Sequence, residues 1–517
     1  MDYIVDEKCM QQIDRYTIEQ IGIPALVLME RAAAAVAKQV KHLIKKLSVK
    51  GEKPCILAVY GTGGNGGDAI AAARLLHLEG YRVSLYAADD SAKLCETAAT
   101  ELKIARNCSV PEVFGTDKEF DFASYHILVD GIFGVGLSRK IEGKYRALIE
   151  KINASKAKIV AVDIPSGVHA GTGRCLGVCV HADCTVTFGA RKVGQLLYPG
   201  TEYCGKLVCA DIGFPSFVIE KVAKQSEYSY FTYTKKDISR LPQRKQYSNK
   251  GTYGKVLVFA GSKEVFGAAY LSACAAYRCG VGLVKIVSSS ECIEMVAKML
   301  PEALVQVIPE NSGDKDFWNS QANWADVVLA GPGIGTNDTA KNALTSLIDA
   351  VKDNQKSLIL DADALNLLAM WLDGKWDGLE RLAKLSALLP EGTVLTPHIK
   401  ELSRLIKQPV SQIVEDFVDT AKQCLYNREL IYVLKDARTI VVGGGEIYIN
   451  TSGNNGMATG GSGDVLAGMI AGLSVGIGTQ EAARLGVYLH GLAGDKAAKK
   501  CGRRGMLAGD ILRSFYW

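Results

Sequence analysis

Residues 54–68 read PCILAVYGTGGNGGD, an apolar run that leads into a glycine loop, and a helical pattern follows over residues 69–79. A short apolar strand before a glycine loop and a helix is typical of a β-α unit. Further short, β-rich apolar runs follow at residues 82–87, 126–130, 158–163 and 183–188. Because continuously apolar strands between helices are those of a parallel sheet covered on both faces, we expect such a sheet here.

A second alternation begins after residues 217–250, a polar, aromatic and lysine-rich stretch. Its predicted strands are residues 255–260, 283–287, 325–330, 357–361, 393–396, 432–435 and 439–442, with a further edge strand at 446–449. Its predicted helices are residues 268–279, 464–473 and 480–498. The sequence therefore predicts an α/β protein of two tandem three-layer αβα domains, with residues 1–216 and 251–517 as the domains and 217–250 as the linker.

Composition limits the functional class. The 517 residues are 48% hydrophobic and 22% charged, with a net charge of +5, and the lysines form no stripe. We therefore expect a folded protein that does not bind nucleic acid. The acidic start of the chain and the lack of ~20 consecutive apolar residues predict a cytoplasmic protein with no membrane span. The 14 cysteines contain no CxxC pair, so we expect reduced thiols rather than a zinc site. The alanine-rich helical pattern of residues 10–39 suggests packing rather than chemistry.

Polar residues follow the predicted strands of the first domain. They are Asn65, Asp68, Asp130, Asp163 and Lys192. Because parallel strands deliver their carboxyl ends to one edge of the sheet, where ligands bind, these side chains predict a site. A single aspartate at a strand end often only caps the next helix, but five converging polar residues favour a ligand.

A dinucleotide site is an open alternative at the same loop. Gly61, Gly63 and Gly66 match GxGxxG, and Asp89 lies near the end of the next strand. Asp68 argues against it, because a carboxylate at the start of the helix opposes a bound pyrophosphate.

The second domain carries ATGGSGD at residues 458–464, a glycine loop that runs into a helix. Unpaired backbone N–H groups at a helix start bind phosphate, and Asp464 beside them would accept a proton from an attacking hydroxyl. A general base next to an anion site is what phosphoryl transfer to an alcohol requires, although the loop is not a Walker motif. The alternative is a helix cap in a glycine-rich turn.

Other segments of this domain support a ligand site. AGPGIG (330–335) lets backbone approach a ligand, and LILDADALN (358–366) places Asp361 and Asp363 after a strand. His398 and Glu401 lie on one face of a helix and follow another strand. LKDARTIVVGG (434–444) predicts strand, turn and strand. An equal alternative for Asp363 is a cap of the following helix, and the alternative for His398 is a surface pair with Glu401. We interpret His490 as structural.

Taken together, these motifs resemble those of the bifunctional NAD(P)H-hydrate repair enzymes over residues 3–512. GxGxNGGD, VDGIFGVGL, VDIPSG and FGxxKxG look like the epimerase domain. KGTYGKVLVFAGS, AGPGIG, DADALN, TPHxxE, KDARTIV and NxGMATGGSGDVLAG look like the dehydratase domain. The resemblance implies a Rossmann-like epimerase domain and a ribokinase-like dehydratase domain. Their substrates would be NADHX and NADPHX, which are NADH and NADPH hydrated at C6 of the nicotinamide ring.

The resemblance also implies roles for individual residues. Asp163 and Asp464 would be the catalytic acid–base groups. Substrate contacts in the first domain would be Gly64, Asn65, Gly66, Gly67, Asp68, Gly134, Val135, Gly136, Leu137, Ser138, Arg139, Lys140, Asp163 and Lys192. Those in the second would be Ala268, Gly335, His398 and Asp464. Nucleotide contacts would be Lys435, Asp436, Ala437, Arg438, Thr439 and Gly463. A potassium ion would be held by Asn65, Asp130 and Ser166, and Mg²⁺ would accompany ADP or ATP in the second domain.

Two positions depart from the family pattern: Gly64 stands where the family usually has Asn, and Asn249 where it has His. Two rival functions stay open on the sequence. One is a vitamin or sugar kinase with a non-catalytic N-terminal domain, and the other is an RNA-associated scaffold. The resemblance favours ADP over ATP as the nucleotide, and we expect a homo-oligomer.

Overall fold

The computed structural model describes residues 1–47, 54–113, 120–374, 376 and 378–515. The chain forms two compact units, Asp2–Tyr230 and Phe231–Trp517 together with Met1. The domain limits inferred from the sequence stay a prediction. The stretch 217–250 contains most of a helix, a strand that crosses the division and a short 3-10 helix (Lys235–Arg240), and a second one (Lys250–Tyr253) begins at its last residue.

The N-terminal unit contains a seven-stranded parallel sheet. The strands of the unit, including two that lie outside this sheet, are β1 (Asp2–Val5), β2 (Cys55–Tyr60), β3 (Arg82–Ala87), β4 (Glu112–Val113), β5 (Ile127–Gly131), β6 (Lys158–Val162), β7 (Cys184–Phe188), β8 (Arg191–Lys192) and β9 (Lys206–Ala210). The sheet order is β4-β3-β2-β5-β6-β7-β9, and β1 pairs separately with β8. The order reverses at β2, as in Rossmann-like folds, and ligands of such sheets bind beside that reversal. The predicted Rossmann-like architecture is confirmed.

Helices cover both faces of this sheet. They are α1 (Glu7–Tyr16), α2 (Ala25–Ile44), α3 (Gly64–Leu78), α4 (Glu96–Asn107), α5 (Gly143–Ala154), α6 (Val193–Leu196), α7 (Gly200–Tyr203) and α8 (Ser216–Gln225), with a π-helical turn at Thr17–Ile21. Alternate residues of β2 point to opposite faces: Ile56 and Ala58 join the core under α2 and α3, and Leu57 and Val59 join the core under α5. Helix α3 begins five residues earlier than predicted, which brings Asn65 and Asp68 into its first turns.

The C-terminal unit has a mixed sheet. Its strands are β10 (Ser229–Thr232), which crosses the division, β11 (Lys255–Phe259), β12 (Leu283–Ser288), β13 (Leu304–Val307), β14 (Val327–Ala330), β15 (Ser357–Leu360), β16 (Val394–Leu395), β17 (Ile431–Leu434), β18 (Ile440–Gly443) and β19 (Glu446–Ile449). Strands β13-β12-β11-β14-β15-β16-β17 are parallel, whereas β17-β18-β19 form an antiparallel meander. The strand–turn–strand prediction for residues 434–444 is confirmed.

The helices of this unit complete a second αβα arrangement. They are α9 (Phe266–Arg278), α10 (Ser290–Met299), α11 (Lys315–Trp324), α12 (Asp338–Asp353), α13 (Asp363–Trp371), α14 (Gly378–Leu388), α15 (Ile399–Ile406), α16 (Val410–Glu415), α17 (Phe417–Cys424), α18 (Ser462–Ile477), α19 (Thr479–Cys501) and α20 (Ala508–Leu512). Small residues let α18 approach α9 closely, since a Cβ on Gly468 would lie 2.1 Å from the Ser272 carbonyl oxygen. Within the described residues, every helix is too short or too polar to cross a bilayer.

Two candidate active sites

A cavity of about 610 Å³ lies at the carboxyl edge of the N-terminal sheet. The predicted residues that line it are Gly64, Asn65, Asp68, Gly134, Val135, Gly136, Leu137, Ser138, Arg139, Asp163 and Lys192. Gly66 and Gly67 do not line it; they are buried behind it, where a Cβ on Gly66 would lie 2.0 Å from the Gly61 carbonyl oxygen. Lys140 and the predicted metal ligands Asp130 and Ser166 are also absent from its lining.

Asp163 is held rigidly where β6 ends. Its backbone adopts the left-handed conformation, with φ of 59°, which aspartate tolerates better than most residues. Its Oδ1 accepts hydrogen bonds from Thr187 Oγ1 at 2.9 Å and from the Phe188 N–H at 3.1 Å. The fully buried Lys192 ammonium donates to the same oxygen at 2.5 Å. Lys192 therefore serves as the counter-charge of a carboxylate that faces the cavity.

Asp130, at the end of β5, is buried beside the cavity with oxygen-rich neighbours. Ser166 donates to it twice, through its N–H at 2.8 Å and its Oγ at 2.6 Å. Asn65 Nδ2 donates to the Phe133 carbonyl at 3.0 Å, and the Phe133 N–H donates to Ser166 Oγ at 2.9 Å. Burial raises the pKa of Asp130 to about 6. No cationic side chain of the described residues forms an ion pair with it, so its charge lacks compensation.

The other wall of the cavity comes from elements that sequence reasoning set aside. Helices α1 and α2 contribute Met10, Gln11, Asp14, Leu28 and Met29. Residues 10–39, whose pattern suggests packing rather than chemistry, thus also supply side chains that line the cavity. The sequence carried a signal for the position of Asp14. Asp14 follows Met10 by four positions and therefore lies next to the buried stripe of α1. The apolar lining from Phe188, Ile212 and Phe214 was also missed.

Asp89, the acid of the dinucleotide alternative, is engaged elsewhere. It forms an ion pair with Lys144 at 2.5 Å and accepts a hydrogen bond from Ser91 Oγ at 2.7 Å. The hydrogen bond from Lys144, followed by that from Ser91, lowers the pKa of Asp89 to about 2. Asp89 does not line the cavity, whereas Asp68 does. The geometry therefore favours a site built on Asp68 over a dinucleotide site built on Asp89.

The C-terminal site centres on Asp464, in the first turn of α18. Gly461 precedes the helix with φ of 83°, a conformation that glycine adopts without strain. Burial, and secondly the charge of Asp361, raise the pKa of Asp464 to about 6, against an opposing effect of Lys435. A carboxyl that ionises just below neutral pH beside free helix N–H groups has the properties of a general base at an anion site.

An ion pair between distant parts of the sequence supports this site. Lys435, which follows β17, donates through Nζ to Asp361 Oδ1 at 2.7 Å, and Thr396 Oγ1 donates to the same oxygen at 2.7 Å. A Cβ on Gly463 would lie 3.4 Å from Lys435 Nζ, so the glycine loop of α18 and this ammonium are neighbours. The structure thus brings together Asp361, Lys435, Gly463 and Asp464 at one sheet edge.

The remaining predicted residues occupy nearby loops and caps. Asp363 Oδ2 accepts from the Gly335 N–H at 2.9 Å, which ties the AGPGIG loop to α13. Ala268 is buried in α9, and a Cβ on Gly333 of that loop would lie 3.2 Å from its side chain. Asp436 and Ala437 lie in the turn between β17 and β18, as do the next two nucleotide candidates, Arg438 and Thr439.

His398 and Glu401 cap α15 and also lie against each other, with His398 Nε2 3.3 Å from Glu401 Oε1. His398 Nδ1 accepts from the Glu401 N–H at 3.2 Å, and Glu401 accepts from the His398 N–H at 2.9 Å. The imidazole is 49% exposed, so one face stays available to a ligand. Burial, and secondly the charge of Lys435, lower its pKa, which keeps the ring neutral near pH 7. His490 is buried, and burial lowers its pKa to about 4, in keeping with a structural role.

The two halves of the chain match two protein families. Residues 256–515 match the family described as NAD(P)H-hydrate dehydratase, and residues 25–194 match that of the YjeF-related protein N-terminus. The bifunctional NAD(P)H-hydrate repair enzyme of Thermofilum pendens is 36% identical over 507 residues, 96% of this chain and 92% of the relative. That of Moorella thermoacetica is 35% identical over 99% of this chain and 95% of the relative.

Solved structures also align with the C-terminal part. A ribokinase-like superfamily protein from Enterococcus faecalis is 30% identical, with a TM-score of 0.48. The alignment covers 55% of this chain and 94% of the Enterococcus faecalis chain. The family matches span both units in the expected order. The chain belongs to the family of bifunctional NAD(P)H-hydrate repair enzymes.

Proposed function

We propose that the N-terminal unit interconverts the R and S epimers of NADHX and NADPHX, and that the C-terminal unit dehydrates the S epimer to NAD(P)H. ADP would supply the phosphoryl group and leave as AMP. The observation that carries the proposal is Asp464, a carboxyl with a raised pKa at the start of α18, beside the Lys435–Asp361 pair. Family membership supports the pairing of the two activities on one chain.

The dehydration needs a better leaving group than hydroxide. Asp464 would take the proton of the C6 hydroxyl, whose oxygen then attacks the terminal phosphorus of the nucleotide. The backbone N–H groups at Gly463 and the Lys435 ammonium would hold the phosphoryl oxygens as charge develops. The C6–O bond then breaks, inorganic phosphate leaves with the bonding electrons, and water takes the C5 proton, so that the C5=C6 double bond of NAD(P)H forms.

Mg²⁺ would arrive with the nucleotide and neutralise the charge of its phosphates. Among the described residues, no group of three or more His, Cys, Asp or Glu side chains could hold a metal ion alone. This arrangement suits a cation that is held largely by phosphate oxygens and water, with Asp361 and Asp363 as the nearby carboxylates. The nucleotide would also contact the β17–β18 turn, through Asp436, Ala437, Arg438 and Thr439.

In the N-terminal unit, Asp163 would act as acid–base group, with Lys192 as its fixed counter-charge. A potassium ion would lie among Asn65, Asp130 and Ser166, since the buried Asp130 has oxygen-rich neighbours and no cationic partner in the part of the chain that the structure describes. One carboxylate with amide, hydroxyl and carbonyl oxygens suits a singly charged hard ion better than a divalent one. That ion would compensate the buried charge and fix the loop at Gly134–Lys140 around the substrate.

The test is to incubate the protein with mixed NADHX epimers, Mg²⁺, K⁺ and either ADP or ATP, and to follow the absorbance of NADH. Conversion of both epimers is the expected result. Conversion of about half would mean an idle epimerase, and no conversion with either nucleotide would refute the proposal. The rate ratio between ADP and ATP tests the donor. We also propose a cytoplasmic homo-oligomer, which light scattering after size exclusion tests for assembly and fractionation tests for location.

A further inference from the structure

Asp14 is the acid of the epimerase cavity that the reaction proposed above does not use. It lies on α1 and lines the cavity with Asp163, Asp68 and Lys192. Asp163 accepts hydrogen bonds from several donors, whereas the Asp14 carboxyl makes no hydrogen bond or ion pair with any residue that the structure describes. It also does not cap α1, because Asp6 fills that position. A structural role for its carboxyl is therefore not evident.

The charges around the cavity favour the protonated form of the Asp14 carboxyl. Asp14 is exposed on α1, but partial desolvation at the cavity wall, and secondly the charge of Asp163, raise its pKa. Asp68 has its pKa raised by burial, then by Asp163 and Asp14. The cations that line the same cavity are Lys192, which is paired with Asp163, and Arg139. Asp14 and Asp163 therefore feel each other's charge across the cavity, and the unpaired one is the better proton carrier.

Inversion at C6 by loss and re-addition of the oxygen has the hydroxyl leave one face of the ring and water arrive at the other, whereas ring opening between N1 and C6 would retain the oxygen. One acid–base group cannot reach both faces of a bound ring without a large movement. The cavity receives carboxyls from three elements, Asp163 after β6, Asp68 in α3 and Asp14 in α1. Asp163 lies beside Lys192, whereas Asp14 has no charged partner among the described residues, and two carboxyls in such different surroundings can divide an acid role from a base role.

We propose that Asp14 is the second acid–base residue of the epimerase site and exchanges a proton with the C6 hydroxyl on the ring face away from Asp163. This inference rests on the proposed epimerase function. In one direction, protonated Asp14 donates its proton as the C6–O bond breaks. Water leaves, and the N1 lone pair forms an N1=C6 double bond. A water molecule then attacks the other face of C6, and the Asp163 carboxylate takes its proton. Proton exchange with solvent resets both carboxyls, and the reverse inversion uses them in exchanged roles.

The test uses the full chain with Asp464→Asn, so that the S epimer is not consumed, and starts from purified R epimer separated by chromatography. Adding Asp14→Asn is expected to lower the rate of R/S exchange by about 100-fold, the usual contribution of a general acid or base. Asp14→Glu should restore part of the rate, because the longer side chain keeps the acid. The matched control is Glu19→Gln, which removes an exposed carboxylate just beyond α1, outside the cavity, and should leave the rate unchanged.

Two further readouts separate chemistry from structure. In H₂¹⁸O, each inversion should incorporate one labelled oxygen at C6, and the apparent affinity for substrate should change less than the maximal rate in Asp14→Asn. Exchange within about twofold of the parent in Asp14→Asn, or no recovery in a folded Asp14→Glu, would overturn the inference. If the parent protein itself exchanges no epimers above the protein-free blank, the proposed epimerase function fails instead.

Discussion

The pH dependence of dehydration gives the most direct test of Asp464 as the base. Its pKa of about 6 lies above the ordinary value of 3.8, so the ionised base is present above pH 6 and is lost as the pH falls through it. The ionised fraction is then about 0.97 at pH 7.5 and about 0.09 at pH 5, which predicts a roughly tenfold loss of rate. A carboxyl with an ordinary pKa would lose only about 6% over the same range.

The assay is the initial rate of NADH formation from S epimer at saturating nucleotide and Mg²⁺, with Asp464→Asn as the blank at each pH. A phosphate group of the nucleotide also titrates near pH 6. Asp361→Asn separates the titration of Asp464 from that of the nucleotide phosphate. The variant keeps an oxygen for Lys435 and Thr396 but removes the charge that raises the pKa of Asp464. The acid limb of the pH–rate profile of this variant should therefore move to lower pH. A limb that stays in place, or that lies below about pH 5 in the parent protein, would refute the reasoning.

Four further outcomes follow from the contacts described above. Asp464→Asn should abolish NADH formation and keep R/S exchange. The variant's C-terminal unit should be at least as stable as the parent's at neutral pH, because ionising this largely buried carboxyl costs up to about 3 kcal/mol. A lower melting temperature of the variant would contradict this expectation. If K⁺ binds at Asp130, whose pKa is about 6, the K⁺ concentration needed for half-maximal exchange should rise below that pH, and a pH-independent K⁺ titration would count against the site. Lys192→Met leaves Asp163 buried without its counter-charge, so thermal unfolding of the N-terminal unit should show a loss of about 3–5 kcal/mol; an unchanged melting temperature would exclude the pair as a stabilising contact. Gly468→Ala places a methyl group 2.1 Å from a backbone oxygen of α9 and should cost about 1–3 kcal/mol, which chemical denaturation of the variant would show or disprove.

Local sequence patterns predicted the elements that carry their own signal. The strand at residues 82–87 matches β3, and that at 446–449 matches β19, because short apolar runs next to turns leave little choice of conformation. Strand β13 was missed, since all four of its residues are exposed on the edge of the sheet and its sequence lacks the apolar continuity of a buried strand. The helix after the first glycine loop was predicted to begin at residue 69, but it begins at Gly64 because the glycines themselves adopt helical conformation.

The sequence alone determined the two α/β domains, the glycine loops and the polar residues at strand ends, because each depends on neighbours within a few positions. Only the tertiary structure decided which distant groups meet. Lys435 reaches Asp361 across 74 positions, and Asp14 enters a cavity whose other acids, Asp68 and Asp163, lie far along the chain. The raised pKa values of Asp464 and Asp130 arise from burial first, and burial is created by elements that no local pattern contains.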